Sequence, residues 1–242
     1  MQIKNTQLGH IAWCETTAQH LAPQDFAVDG WREKNAVVGQ SKGRYTTWFV
    51  KTENSDSPQT WVLRHYWRGG MMEKFSRDAY FYTGLQRTRA VAELAILEVL
   101  YQEGFTVPRP IAANVERFGL WYRADIIIEH VAGANDLVAY LSHNPMTESQ
   151  WYLLGETIAK FHQRGVYHAD LNAKNILLAH GKFYLIDFDR GELRTPQPTW
   201  QQANLDRLLR SFNKEHAKLT TLQFSQLHWQ QLLAGYQRIN PI

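Results

Sequence analysis

A chain of 242 residues that is 44% hydrophobic and 13% aromatic, with nine Trp, carries enough apolar material to fold as one two-lobed domain or two small ones, which excludes a disordered polypeptide. Its formal net charge of +3 is no nucleic-acid signature, though it suits a phosphate-rich substrate or an anionic membrane surface. The single Cys14 excludes an internal disulfide and fits a reducing compartment, and no run approaches the roughly 18 apolar residues of a membrane-spanning helix. The opening Met1-Gln2-Ile3-Lys4-Asn5 lacks the apolar core of a secretory signal, so the expected place of action is the cytosol or a membrane face reached from it.

Residues 1–35 hold scattered aromatics and one short helical stretch. From Ala36 to Val50 the pattern turns to strands: Val37-Val38, a turn from Gly39 to Gly43, then Tyr45 to Val50. Asn54 to Gln59 is a polar turn and Thr60 to Tyr66 the next strand. Arg68-Gly69-Gly70 follows, with a basic stretch containing Lys74, Arg77, Arg87 and Arg89. Thr88 to Glu103 has helical spacing in Val91, Leu94, Ala95, Leu97 and Leu100, and Gly104 ends it. Val107-Pro108-Arg109-Pro110 forces extended chain, and Trp121-Tyr122 and Asp125 to Glu129 read as two more strands that close an N-terminal sheet.

The second half opens on a capping-box pattern, Thr147-Glu148-Ser149-Gln150, followed by an apolar helical stripe of Trp151, Leu154, Ile158 and Phe161. Val166-Tyr167 leads into a polar loop, His168 to Asn175, then Ile176-Leu177-Leu178, a turn at Gly181, and Phe183 to Ile186 running into Asp187-Phe188-Asp189. Beyond a Pro196/Pro198 turn, a helix from Asn204 to His216 turns Leu205, Leu208, Leu209 and Phe212 inward and Arg207, Arg210 and Lys214 outward. A last helix covers Phe224 to Tyr236. Strands first and helices after make an α+β protein with lobes at 1–130 and 131–242, joined near Glu129-His130-Val131 and Gly133.

The loop is where the chemistry concentrates. His168, Asp170 and Asn175, with Asp187 twelve residues further on, keep the order and spacing by which kinases accept a hydroxyl proton and hold magnesium under ATP. Phosphoryl transfer leaves the protein positioning and charge neutralisation, so Asp170 is the expected catalytic base, and Asn175 and Asp187 the expected magnesium ligands. A hairpin between them would set Asn175 beside Asp187. The same template places ATP contacts in the first half. Gly39 and Gly43 would cover the phosphates, although an ordinary hairpin explains that segment equally well. Arg64 stands where the phosphate-binding Lys is expected, with an exposed strand Arg as the other reading; Glu93 is its candidate helical partner and Glu98 the rival. Glu129 would mark the connection that binds adenine.

Several runs carry a closer resemblance: Val62-Leu63-Arg64-His65-Tyr66 with Arg68-Gly69-Gly70, Gly104 to Pro110, His168 to Asn172 with Asn175 to Leu178, and, more specific than the kinase skeleton itself, Asp187-Phe188-Asp189-Arg190-Gly191 and Trp200-Gln201-Gln202-Ala203-Asn204-Leu205 through Arg210-Ser211. In these the chain resembles the bacterial 3-deoxy-D-manno-octulosonic acid (Kdo) kinases of lipopolysaccharide assembly, relatives of the heptose kinases. The resemblance implies a two-lobed protein-kinase-like fold, with an N-terminal antiparallel sheet, one main helix and a mainly helical C-terminal lobe. It implies ATP-dependent phosphorylation of the 4-hydroxyl of Kdo on a Kdo–lipid A precursor, at the cytoplasmic face of the inner membrane. Asp170 carries over as catalytic, while Asn175 and Asp187 carry over through the wider kinase motif. Asn172 where protein kinases hold a Lys, and Asp189 in place of the Gly of D-F-G, argue against a regulated protein kinase.

The acceptor's phosphates and carboxylate would favour Arg68, Lys74, Arg77 and Arg190, and anionic lipid would favour basic residues with interfacial Trp and Tyr, hence peripheral attachment. No nucleic acid is expected, and the sequence points to no particular protein partner. Two other readings stand: a small-molecule phosphotransferase of the aminoglycoside or choline type, against which the basic stretch from Arg64 to Arg89 speaks, and a pseudokinase binding module, which Arg64 and the imperfect glycine loop would suit.

Overall fold

A computed structural model describes residues 1–14, 18–42, 46–52, 59–68 and 78–241, and its contacts divide the chain into two compact units. The first comprises Met1–Glu103 and Pro108–His130. In chain order it contains β1 (Gln2–Asn5), β2 (Gly9–Trp13), α1 (Val28–Glu33), β3 (Val37–Lys42), β4 (Thr46–Lys51), β5 (Thr60–His65), β6 (Tyr80–Phe81), α2 (Arg89–Gln102), β7 (Pro110–Phe118) and β8 (Trp121–Glu129). The strands form one antiparallel sheet in the order β1-β2-β7-β8-β5-β4-β3, and β6 adds to the far end of β8.

One face of this sheet is sealed by Leu21, Phe26 and Trp31 from the N-terminal segment against Val50, Trp61, Leu63, Ile111 and Ile127. The helix α2 packs on β7 and β8, burying Ala90, Val91, Leu94, Leu97 and Leu100. This unit departs from the sequence expectation in three ways. The scattered aromatics of the first 35 residues build a β1–β2 hairpin and part of the core, not only a short helix. The two strands expected at Trp121-Tyr122 and Asp125–Glu129 are one continuous strand, β8, whose long partner β7 the sequence pattern did not announce. Gly39 lies inside β3 at a bulge opposite Phe49 rather than in the turn.

The second unit comprises Gly104–Val107 and Val131–Ile242. It contains β9 (Asn135–Asp136), α3 (Leu137–Leu141), α4 (Glu148–Gln163), β10 (Val166–Tyr167), β11 (Ile176–Ala179), β12 (Lys182–Leu185), β13 (Glu192–Leu193), α5 (Pro198–Lys218) and α6 (Gln226–Ile239). Thr147 and Gln150 close the reciprocal cap at the start of α4, and Trp151, Leu154, Ile158 and Phe161 are all buried. Helix α5 begins six residues before the expected Asn204, because Pro198 is preset for the first helical turn and needs no N–H partner there.

Helices α4 and α6 meet backbone to backbone. A Cβ on Gly155 would stand 1.9 Å from the Leu232 carbonyl oxygen, and one on Gly235 2.1 Å from that of Tyr152. Only glycine on both sides permits this approach. Among the described residues no helix is long and apolar enough to cross a membrane.

Candidate active site

The loop between β10 and β11 is organised by its own polar side chains. His168 is buried, with Nε2 2.9 Å from the Ile186 carbonyl oxygen and Nδ1 3.2 Å from the Asp170 backbone N–H. A carbonyl requires a donor at Nε2, and an N–H requires an acceptor at Nδ1, so the ring is neutral in one defined tautomer. Burial pushes its pKa down, in the same sense. His168 thereby ties the loop carrying Asp170 to the strand end that delivers Asp187.

Asn172 accepts the N–H groups of Lys174 and Asn175 and so caps the 3₁₀ turn Ala173–Asn175. Its amide and that of Asn175 both donate to the Asp170 carbonyl, at 3.1 and 3.0 Å. The residue that replaces the protein-kinase Lys is therefore a brace for the loop. With Nδ2 committed to Asp170, the Asn175 side chain has its Oδ1 left as a ligand atom.

The expected hairpin is present. Strands β11 and β12 pair from Ile176↔Leu185 to Ala179↔Lys182, and the turn residues His180 and Gly181 both have positive φ, 49° and 72°, as a two-residue hairpin of this hand requires. At the other end the Ile186 N–H donates to the Asn175 carbonyl at 3.0 Å, which brings Asp187 to the strand end opposite Asn175. Asp187 itself has φ 63°, a left-handed conformation that Asp tolerates better than most residues. Phe188 is fully buried against Phe161 and His168, anchoring the segment after Asp187. The next turn closes with the Gly191 N–H on the Phe188 carbonyl, where a Cβ on Gly191 would come within 2.8 Å of that oxygen. An amide oxygen and a carboxylate are hard donors, and the pair fits magnesium, which takes one or two carboxylates and completes its shell with phosphate and water. Among the described residues no three His, Cys, Asp or Glu side chains form a closed metal cage.

One face of α5 serves the same loop. The Asn204 side-chain oxygen accepts the His168 N–H at 3.2 Å, and Ser211 Oγ accepts the Ala173 N–H at 2.8 Å. Glu215 meets Lys174 at 3.4 Å. Between them Arg207 forks onto Asp170, its Nε and Nη2 lying 2.8 and 2.5 Å from the same oxygen, Oδ1. The other carboxylate oxygen, Oδ2, is left for an acceptor. Periodicity expects Arg207 outward, and the residue is exposed, yet its guanidinium reaches Asp170 from the face of α5 that carries Asn204 and Ser211.

In the first unit Arg64 of β5 is ion-paired with Glu93 of α2, and the Tyr66 hydroxyl donates to the same carboxylate. Arg64 also donates to the Tyr66 hydroxyl at 3.0 Å. Glu98, the rival partner, meets the amino group of Met1 instead. Glu129 closes β8; its N–H donates to the Arg109 carbonyl at 2.9 Å and its carboxylate meets the Arg109 guanidinium at 3.3 Å. The His130 N–H donates to the Thr60 carbonyl. Of the groups on Glu129, only its carbonyl is therefore a candidate for an adenine contact. Gly43, Lys74 and Arg77 lie outside the described residues.

With this geometry in hand, the profile of the lipopolysaccharide kinase (Kdo/WaaP) family matches residues 28–236. The chain belongs to that family. Curated relatives named 3-deoxy-D-manno-octulosonic acid kinase include one from Mannheimia succiniciproducens, 43% identical over 86% of this chain and 87% of its own length. Another, from Photobacterium profundum, is 42% identical over 88% of both, and one from Haemophilus influenzae is 38% identical over 90% and 91%. A solved structure described as WaaP in complex with acyl carrier protein has the same fold, with a TM-score of 0.53 at 15% identity over 94% of this chain and 88% of that one. The α+β kinase-like fold is thus shared across the family, and the chain is a kinase.

Asn204, Arg207 and Ser211 are the residues that sequence reasoning missed as parts of this loop. The signal was available: all three lie in or just after the Trp200–Ser211 run already noted as family-specific, at spacings of three and four that put them on one helical face.

Proposed function

We propose that this kinase transfers the γ-phosphoryl group of ATP to the 4-hydroxyl of Kdo on a Kdo–lipid A precursor, working peripherally at the cytoplasmic face of the inner membrane. The observation that supports the reading is the hydrogen-bonded unit of His168, Asp170, Asn172, Asn175 and Ile186, which holds Asp170 and Asn175 in one loop and ties that loop to the strand end before Asp187. The relatives named Kdo kinases supply the acceptor class.

In this scheme Asp170 orients the sugar hydroxyl and takes its proton as the new P–O bond forms. Arg207 holds one oxygen of that carboxylate and so turns the other toward the acceptor. Asn175 and Asp187 would hold magnesium, whose charge would offset that of the phosphate oxygens. Arg64, oriented by Glu93 and Tyr66, would bind phosphate in place of the usual Lys, with Gly39 and Gly43 as the phosphate-covering glycines and Glu129 toward the adenine.

The test is to incubate the protein with ATP, magnesium and a Kdo-bearing lipid A precursor and to look by mass spectrometry for a product heavier by one phosphate. Asp170→Ala is expected to lower kcat by about 10²–10⁴-fold, the usual worth of a positioned base, with an unchanged melting temperature. No phosphorylated product, or full activity in the variant, would refute the assignment.

A further inference from the structure

The end of the β7–β8 hairpin has a composition that the kinase chemistry does not use. The Arg117 N–H still donates to the Leu8 carbonyl and the Tyr66 N–H to the Ala124 carbonyl, so among the described residues it is 118–123 that lie past the ladders of β7 with β2 and of β8 with β5, paired there with the two-residue β6. The turn is Gly119-Leu120, with Gly119 at φ 59° in the first corner, where a type II′ hairpin needs a residue without Cβ.

Directly opposite residues of antiparallel strands point to the same face, so Phe118, Trp121 and Phe81 form one row across three strands. Phe118 is 41% exposed, Trp121 40%, Phe81 54% and Leu120 67%, a cluster of large apolar side chains that globular proteins rarely leave in water. Arginines rim it: Arg123 stacks over Phe118, Arg68 over Trp121 and Tyr80, and Arg117 over Tyr82. Asp78 meets Arg123, and Glu116 stands opposite Arg123 in the ladder.

We propose that this hairpin end is the membrane-contacting surface of the protein, with Leu120, Phe118, Trp121 and Phe81 entering the interfacial zone of an anionic bilayer and Arg68 and Arg117 meeting its lipid phosphates. Aromatic rings with a polar or cationic flank favour that zone because it offers apolar depth and charged headgroups within one side-chain length. The proposal rests on the peripheral lipid-acceptor reading above and assigns it a surface.

The test is flotation of the full-length protein with vesicles of phosphatidylcholine alone or with phosphatidylglycerol, without ATP or acceptor. The wild type is expected to float with anionic vesicles and to release as salt rises. Leu120→Glu, a substitution at an exposed turn position, is expected to weaken that binding by about tenfold or more, since it replaces a buried apolar contact with a charge. The same variant keeps wild-type turnover on a delipidated Kdo acceptor, which separates this surface from the kinase reading. Equal flotation of variant and wild type overturns the proposal. So does a wild type that ignores anionic vesicles, including one that instead retains an acidic protein through this tip.

Discussion

The pair formed by Arg64 and Glu93 allows a prediction whose sign depends on which partner is removed. Glu93 is 1% exposed and Arg64 22%, so the two charges are not equally dependent on each other. Arg64→Met leaves the Glu93 carboxylate in the interior with the Tyr66 hydroxyl as a donor but without the Arg64 guanidinium. Breaking a buried ion pair from one side costs about 3–5 kcal/mol, and the buried anion places this variant within that range. Glu93→Gln keeps an acceptor for Arg64 and Tyr66 and leaves the more exposed guanidinium to water, so the expected cost is about 1–2 kcal/mol. The double variant Arg64→Met/Glu93→Gln removes the buried charge together with Arg64 and should be more stable than Arg64→Met alone. Urea denaturation of the four proteins at one pH measures all three quantities. The reasoning fails if Arg64→Met is no more destabilising than Glu93→Gln, or if the double variant is the least stable. On the phosphate role proposed for Arg64, Arg64→Met should also bind nucleotide more weakly, and Glu93→Gln, which keeps an acceptor for that side chain, should lose less.

Gly155→Ala and Gly235→Ala should each destabilise the second unit by about 3 kcal/mol through overpacking against a backbone carbonyl, measured by thermal unfolding, whereas Gly30→Ala, whose Cβ would meet nothing nearer than 3.7 Å, should be neutral or slightly stabilising. His162, buried beneath Tyr236 and Trp200, is pushed by burial to about 4 from 6.5, so the folded state disfavours its protonation. Its contribution is fully present above pH 6.5 and is lost as pH falls toward 4, at most about 3 kcal/mol. His65, raised by Asp125 and Asp78 against the effect of burial, acts in the opposite sense, so comparison of the wild type with His162→Gln across this range isolates the His162 limb as the part that flattens.

Local signals carried the sequence reading furthest where the structure is itself local. The capping box at Thr147, the β11–β12 hairpin around Gly181 and the loop from His168 to Asn175 each depend on contacts within a few residues, and each stands where the spacing put it. The choice of Glu93 over Glu98 was narrowed by helical spacing but decided by which side of α2 faces β5. Strand β7 was hidden because its pairing with β8 and β2 supplies what its own sequence, opening on Pro110 and Ile111-Ala112-Ala113, does not advertise.

The amino-acid sequence alone therefore determined the kinase loop, its family and the succession of a strand-rich first half and a helix-rich second, since local hydrogen bonds and periodicity follow from spacing. Only the tertiary structure decided that Arg207 reaches Asp170 across 37 positions, that α4 and α6 touch through two glycines, and that Phe118, Trp121 and Phe81 line up as an exposed apolar row. Those contacts depend on where separate elements come to rest, and a periodic pattern records which face of an element is apolar without recording what will be packed against it.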